Sequence, residues 1–192
     1  MCSSDLKIKL LASARRRSGI VECNVQPALV SKNHPLASVS NEFNAIFLKG
    51  NAVDDLMFYG KGAGPLPTGS AVMGDIIEIA KAIDKEAAFD LLPLLKYDSE
   101  LKFAGEGSNQ YYIRMTAVNM PGVLGKISST FGKYNVGIES MVQHSSDDIE
   151  NNTVPLIFIV YDVDRAILDK ALDEILSNLY TVSVDSVMRV ER

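Results

Sequence analysis

The sequence predicts an α+β chain in two parts, an antiparallel sheet with a helix followed by a βαββαβ unit. Three observations carry this reading. Short strand-like runs over residues 7–59 follow one another without intervening helices, which argues for antiparallel pairing. A glycine- and proline-rich stretch at 60–68 then leads into helical spacing. After a polar segment at 97–109, the apolar pattern alternates between periods of 2 and 3.6 in the order strand, helix, strand, strand, helix, strand. The expected boundaries are 1–96, a linker at 97–109, and 110–192.

Lys7–Ala14 is the first strand, with Ile8, Leu10 and Ala12 on one face. Ile20–Val25, Asn44–Lys49 and Leu56–Tyr59 follow, punctuated by Pro27, Pro35, Gly50-Asn51 and Gly60. Thr68 is a good N-cap for a helix over 69–83, where Val72, Ile76, Ile79 and Ala80 recur at helical spacing. A second short helix is expected over Lys85–Lys96, interrupted by Pro93. Tyr111–Val118 opens the second part. Pro121-Gly122 starts a helix carrying Val123, Leu124, Ile127 and Phe131, with Gly132 as its stop. Val136–Gln143 is the next strand, and the acidic Ser145–Asn152 a hairpin loop. Val154–Tyr161 is nearly all apolar, as in a strand buried on both faces. Asp164 caps a helix with Ile167, Leu168, Leu172, Ile175, Leu176 and Leu179 inward. Thr181–Val190 closes the unit, with Val182, Val184, Met188 and Val190 on one face. This order is the ferredoxin-like arrangement, two helices on one side of a four-stranded antiparallel sheet.

Bulk properties exclude several functions. A net charge of −5 and no basic run longer than Arg15-Arg16-Arg17 leave no field for a phosphate backbone, so nucleic-acid binding is not expected. Two cysteines, Cys2 and Cys23, cannot build a disulfide framework and read as reduced thiols in a cytoplasmic protein. No run approaches the ~18 apolar residues of a membrane helix, and no signal-peptide pattern is present. Met1–Leu6 joins abruptly to a strand-like run, which suggests a broken or artificial start.

Two motifs could carry chemistry. The first is Tyr59-Gly60-Lys61-Gly62-Ala63-Gly64, between a strand and a helix. Glycines there let backbone amides approach an anionic group. Its spacing is not that of a dinucleotide fingerprint, the helix is expected to start too late, and Asp84 ends a helix rather than a second strand. On composition alone a plain sheet-to-helix crossover is the simpler reading. The second motif is Asn119-Met120-Pro121-Gly122-Val123-Leu124, at the first strand-to-helix turn of the βαββαβ unit. Free amides at that helix start can hold a carboxylate, and the Asn119 amide both donates and accepts. An ordinary helix cap explains the residues equally well. His34 and His144 lack partners for a metal site, Asp54-Asp55 and Asp147-Asp148 are adjacent pairs, and no catalytic constellation is evident.

The runs His34-Pro35-Leu36-Ala37-Ser38-Val39, Asn44-Ala45-Ile46, and Tyr59 through Val72, followed by Asp75, resemble homoserine dehydrogenase over residues 7–83. Residues 110–192 resemble an ACT domain, on Asn119-x-Pro121-Gly122-Val123-Leu124 and the later Asn135-Val136-Gly137-Ile138. The order of the two segments is that of the bacterial single-function enzymes. The resemblance implies NAD(P)-dependent interconversion of L-aspartate 4-semialdehyde and L-homoserine, within threonine, methionine and isoleucine synthesis. It places the nucleotide fold and the catalytic lysine in family segments outside this chain, so the chain alone is expected to be inactive. Gly64 matches a glycine near the nicotinamide, flanked by Gly62 and Ala63, and NADP or NAD would be the cofactor. His34 matches a position near a dimer interface. Gly69 replaces the usual alanine, at ~0.5–1 kcal/mol in a helix. Asn119, Pro121, Gly122, Val123 and Leu124 would hold an amino-acid effector, threonine by resemblance, with Gly137 from the second strand, of a partner subunit in a homo-oligomer. A free-standing ACT regulatory subunit is the alternative.

Overall fold

The computed structural model describes residues 5–17, 19–84, 100–104, 107–143 and 152–191. The expected helix at Lys85–Lys96, Cys2, His144, Asp147-Asp148 and most of the acidic hairpin loop lie outside them. The chain divides into two compact units, one of Met1–Lys32 with Leu101–Arg192 and one of Asn33–Glu100. This spatial division differs from the boundaries expected along the sequence, because the first hairpin joins the C-terminal sheet.

In the first unit, β1 (Leu6–Arg17) and β2 (Ile20–Ser31) form a long antiparallel hairpin. β2 runs six residues past its expected end. Pro27 is accommodated because it lies between the stretch of β2 paired with β5 (Lys102–Ala104) and the stretch paired with the final strand. The segment expected to be a linker thus contributes a short strand. β6 (Asn109–Val118), β7 (Ile138–Gln143), β8 (Thr153–Val163) and β9 (Thr181–Glu191) complete a seven-stranded sheet in the order β1-β2-β9-β6-β8-β7, with β5 beside β2. The βαββαβ order is present, and the hairpin extends it through three parallel pairs, Ala28–Arg189, Leu29–Val190 and Val30–Glu191.

Helices α2 (Val123–Lys133) and α3 (Arg165–Leu176) bury Ile127, Phe131, Leu168, Ala171 and Ile175 against Tyr111, Ile113, Met115, Leu156, Phe158 and Val160. Phe131 meets Phe158 edge-on, with centroids 5.4 Å apart. On the helix-free face, Leu6, Leu29, Ile159 and Val190 form a second cluster with Tyr112 and Met188. Beyond it Ile8 (61% exposed) and Leu10 (72%) share the expected face but remain open to solvent.

Several expectations need correction. α2 does not stop at Gly132: the left-handed residue is Asn135 (φ 56°), one of the few side chains that tolerate it. Val182, Val184, Met188 and Val190 do not share a face. Register shifts against β6 leave Val182 and Asp185 unpaired, so Val184 joins the helix-side core while Met188 and Val190 lie opposite. Leu179 is fully exposed, since α3 ends at Leu176. β8 is buried on both faces only around Ile159, and Tyr161 is 54% exposed.

The second unit holds a 3-10 turn (Pro35–Ser38), an antiparallel pair β3 (Phe43–Gly50) and β4 (Asp54–Lys61), and α1 (Pro65–Asp84). His34 caps the turn, its Nδ1 accepting from the Leu36 amide at 3.2 Å, and its ring meets Phe47 edge-on. α1 begins at Pro65, not after Thr68. Pro65 and Pro67 suit a first turn whose amides have no helical acceptor.

Candidate functional site

The glycine loop is short because β4 ends at Lys61 and α1 starts at Pro65. The Gly62 amide donates to the Glu42 carbonyl at 2.9 Å, which pins the loop to the start of β3. A Cβ on Gly62 would fall on the exposed Asn44 side chain, which would have to turn away, and Gly64 has φ +123°, a conformation that favours glycine. The Gly64 carbonyl accepts from Thr68, closing the first turn of α1. Among the described residues the amides of Ala63, Gly64 and Leu66 find no acceptor, and Pro65 and Pro67 have no amide hydrogen to satisfy.

An open depression of about 540 Å³ covers this loop, lined by Glu42, Lys61, Ala63, Gly64, Pro65, Leu66 and Pro67. Gly62, Ala63 and Gly64 are all exposed. Lys61 stands 3.6 Å from Glu42 and 5.7 Å from the centre of the Phe43 ring, which stacks on Tyr59. Lys61 was legible as the one cation inside the glycine motif, whereas nothing local marks Glu42. The late helix start that argued against a nucleotide loop is gone. The glycine spacing still departs from the dinucleotide fingerprint.

In the other unit, Pro121-Gly122 forms a β-turn ahead of α2, not its first turn. The Val123 amide donates to the Met120 carbonyl at 3.3 Å, with Gly122 at φ 89°, ψ −15°. Proline then glycine with positive φ is the type II pattern. The Asn119 amide donates to the Asn152 carbonyl, tying the loop to the start of β8. Among the described residues the Gly122, Leu124 and Gly125 amides find no acceptor and the exposed Asn119 side chain no partner. Val123 and Ile127 anchor the turn in the core beneath.

Gly137 is not with them. It precedes β7, where its carbonyl accepts from the Tyr161 amide at 2.8 Å, and a Cβ there would come within 3.0 Å of the Tyr161 ring. Val118 pairs with Thr153 at one end of β8 and Gly137 lies beside Tyr161 at the other. Eight residues of strand make that roughly 26 Å. Five of the six expected effector residues therefore converge, and Gly137 sits at the opposite end of the sheet. Tyr161 beside Gly137 was missed, since the apolar run around it reads as buried core.

Among the described residues no three His, Cys, Asp or Glu side chains converge on a metal site.

The homoserine dehydrogenase family profile matches residues 2–77, and the ACT domain profile residues 111–179. Homoserine dehydrogenase of Synechocystis is 34% identical over 95% of this chain, and that of Corynebacterium glutamicum 30% over 96%. The chain is a homoserine dehydrogenase homologue. It spans 44% and 42% of those two relatives' own lengths. The crystal structure of a homoserine dehydrogenase from Thiobacillus denitrificans superposes with a TM-score of 0.84 at 26% identity, over 98% of this chain and 43% of that one. In this homologue the glycine loop falls inside the homoserine dehydrogenase match and the type II turn inside the ACT match.

Proposed function

We propose that the chain is the C-terminal part of an NAD(P)-dependent homoserine dehydrogenase that interconverts L-aspartate 4-semialdehyde and L-homoserine under threonine feedback. The exposed Gly62-Ala63-Gly64 loop carries this reading. The open amides of Ala63 and Gly64 and the missing side-chain bulk suit close approach of the nicotinamide end of NADP or NAD. The bound cofactor would supply the hydride. Gly62 and Gly64 keep the surface open, Lys61 adds a positive charge, and the Asn33–Glu100 unit holds the loop against β3. Assay of the purified chain with homoserine and NADP tests the division of labour. No turnover is expected from it, and turnover would sink the proposal that hydride transfer needs further family segments.

The effector would lie over the Asn119–Leu124 turn. Its carboxylate would meet the open amides of Leu124 and Gly125 at the positive end of α2, and its ammonium the Asn119 side-chain oxygen. Because Gly137 lies at the far end of the same sheet, its contribution would come from a second copy, making the site a two-subunit one. Calorimetric titration with threonine checks this, with Asn119→Ala expected to weaken binding severalfold. Heat in the wild type and unchanged affinity in the variant would remove Asn119 from the site. We also infer a cytoplasmic setting, from the two cysteines alone.

A further inference from the structure

We propose that β9 is a coupling strand, linking the effector turn at one end of the sheet to the β1–β2 hairpin at the other. The inference rests on the amino-acid effector reading for its ligand, but not for its structural basis. At its start, β9 is bonded to the turn region: Thr181 pairs with Ala117, and the Tyr180 carbonyl accepts from the Val118 amide at 2.9 Å. Lys126 of α2 stands 5.2 Å over the Tyr180 ring. At its end, roughly 26 Å away by strand rise, Arg189, Val190 and Glu191 pair with β2.

That far attachment is two-sided. On one face Val190 packs with Leu6 and Leu29. On the other, Arg189, 2% exposed, donates to Asn24 at 2.9 Å and to Ser13 at 3.0 Å, while Arg15 pairs with Glu191. Arg189 keeps an ion pair with Glu191 of its own strand at 3.1 Å, but both its neutral acceptors lie on the hairpin, Ser13 on β1 and Asn24 on β2, so a hairpin shift would strip two hydrogen bonds from a buried guanidinium. Between the two ends, the unpaired Val182 and Asp185 break the β6–β9 register. At the second break the Asp185 carboxylate accepts from the Thr116 hydroxyl of β6 at 3.0 Å and stands 3.8 Å from Arg114. β9 is therefore fixed at both ends and braced to β6 midway. Ordering of the turn by a ligand would be felt as tighter pairing of the hairpin. Linkage requires the reverse as well: loosening the hairpin must weaken effector binding.

The test is hydrogen exchange and calorimetry on the full 192-residue chain, wild type and Arg189→Met, with threonine as probe. Threonine is expected to slow exchange of the Ala28–Val30 amides, and Arg189→Met to weaken threonine binding by about fivefold or more. Threonine binding with equal affinity in both proteins and no change at the hairpin would overturn the coupling. Absence of any threonine binding would instead overturn the effector reading. The ligand-free comparison then decides the coupling: Arg189→Met must speed exchange at the hydrogen-bonded Val118 and Lys126 amides beside the turn as well as at the hairpin, and a change confined to the hairpin refutes it. Should Arg189→Met fail to fold, Arg15→Ala, which breaks the more exposed Glu191 pair, is expected to give the same pattern at smaller amplitude, and no remote change in it would be equally fatal.

Discussion

Gly122 shows how one residue sets a site. Its φ of +89° is reached without cost only by glycine, although space for a side chain is open around it. Gly122→Val should therefore destabilise the fold by ~1–2 kcal/mol through backbone strain alone, seen in urea denaturation, and should also misaim the amides that follow. Phe131 marks the opposite extreme. Fully buried against Phe158, its truncation to alanine should cost about 3–5 kcal/mol, measured as a lowered denaturation midpoint at unchanged slope. Both residues were legible in the sequence, Gly122 from the Pro-Gly pair and Phe131 from its helical spacing with Ile127. Gly137 was legible as a motif but not in place, because a motif names residues without saying which end of a strand they occupy.

At the scale of elements, the α2–α3 contact carries a pH signature. Glu174 of α3 accepts from Lys133 at 2.6 Å and from the Tyr134 hydroxyl at 2.8 Å. The Lys133 hydrogen bond, then that of Tyr134, holds the Glu174 carboxyl below its ordinary range. A lowered carboxyl stabilises the fold above its unfolded value, and that contribution is lost as pH falls through the lowered one. The Glu174 hydrogen bond raises both Lys133 and Tyr134. Their contributions are complete below the ordinary values and vanish as pH rises through the raised ones. Lys133 is exposed and Tyr134 and Glu174 are only half-buried, so the effect is small and salt-screened. Glu174→Gln should flatten the acid limb of a stability–pH profile, and an unchanged limb would show that the clasp contributes nothing. Helices α2 and α3 were readable from period 3.6, because their buried stripes are local patterns. The bulges at Val182 and Asp185 were not, because each depends on which residue of β6 stands opposite. α1 was placed four residues late, since Thr68 is a plausible cap and only the loop's geometry shows Pro65 opening the helix.

For the molecule as a whole, the main surprise is the pairing of β2 with β9. Nothing local in either strand encodes a partner so distant along the chain, and Pro27 argues against a strand that in fact continues through it. Ligand linkage provides a whole-molecule check. Threonine at a hundredfold excess over its dissociation constant should raise unfolding stability by about 2.7 kcal/mol, read as a shift in thermal midpoint, and no shift would count against the feedback assignment.

That pairing also bears on how the gene can be dissected. Excising 110–192 at the boundary expected from the sequence would discard the hairpin and leave β9 with a bare, hydrogen-bond-hungry flank beside an uncovered Val190. Arg189 would lose its Ser13 and Asn24 acceptors. Such a piece should self-associate in solution, and supplying residues 5–32 as a separate peptide should restore a well-behaved species, because this compact unit is built from two stretches of the chain rather than one.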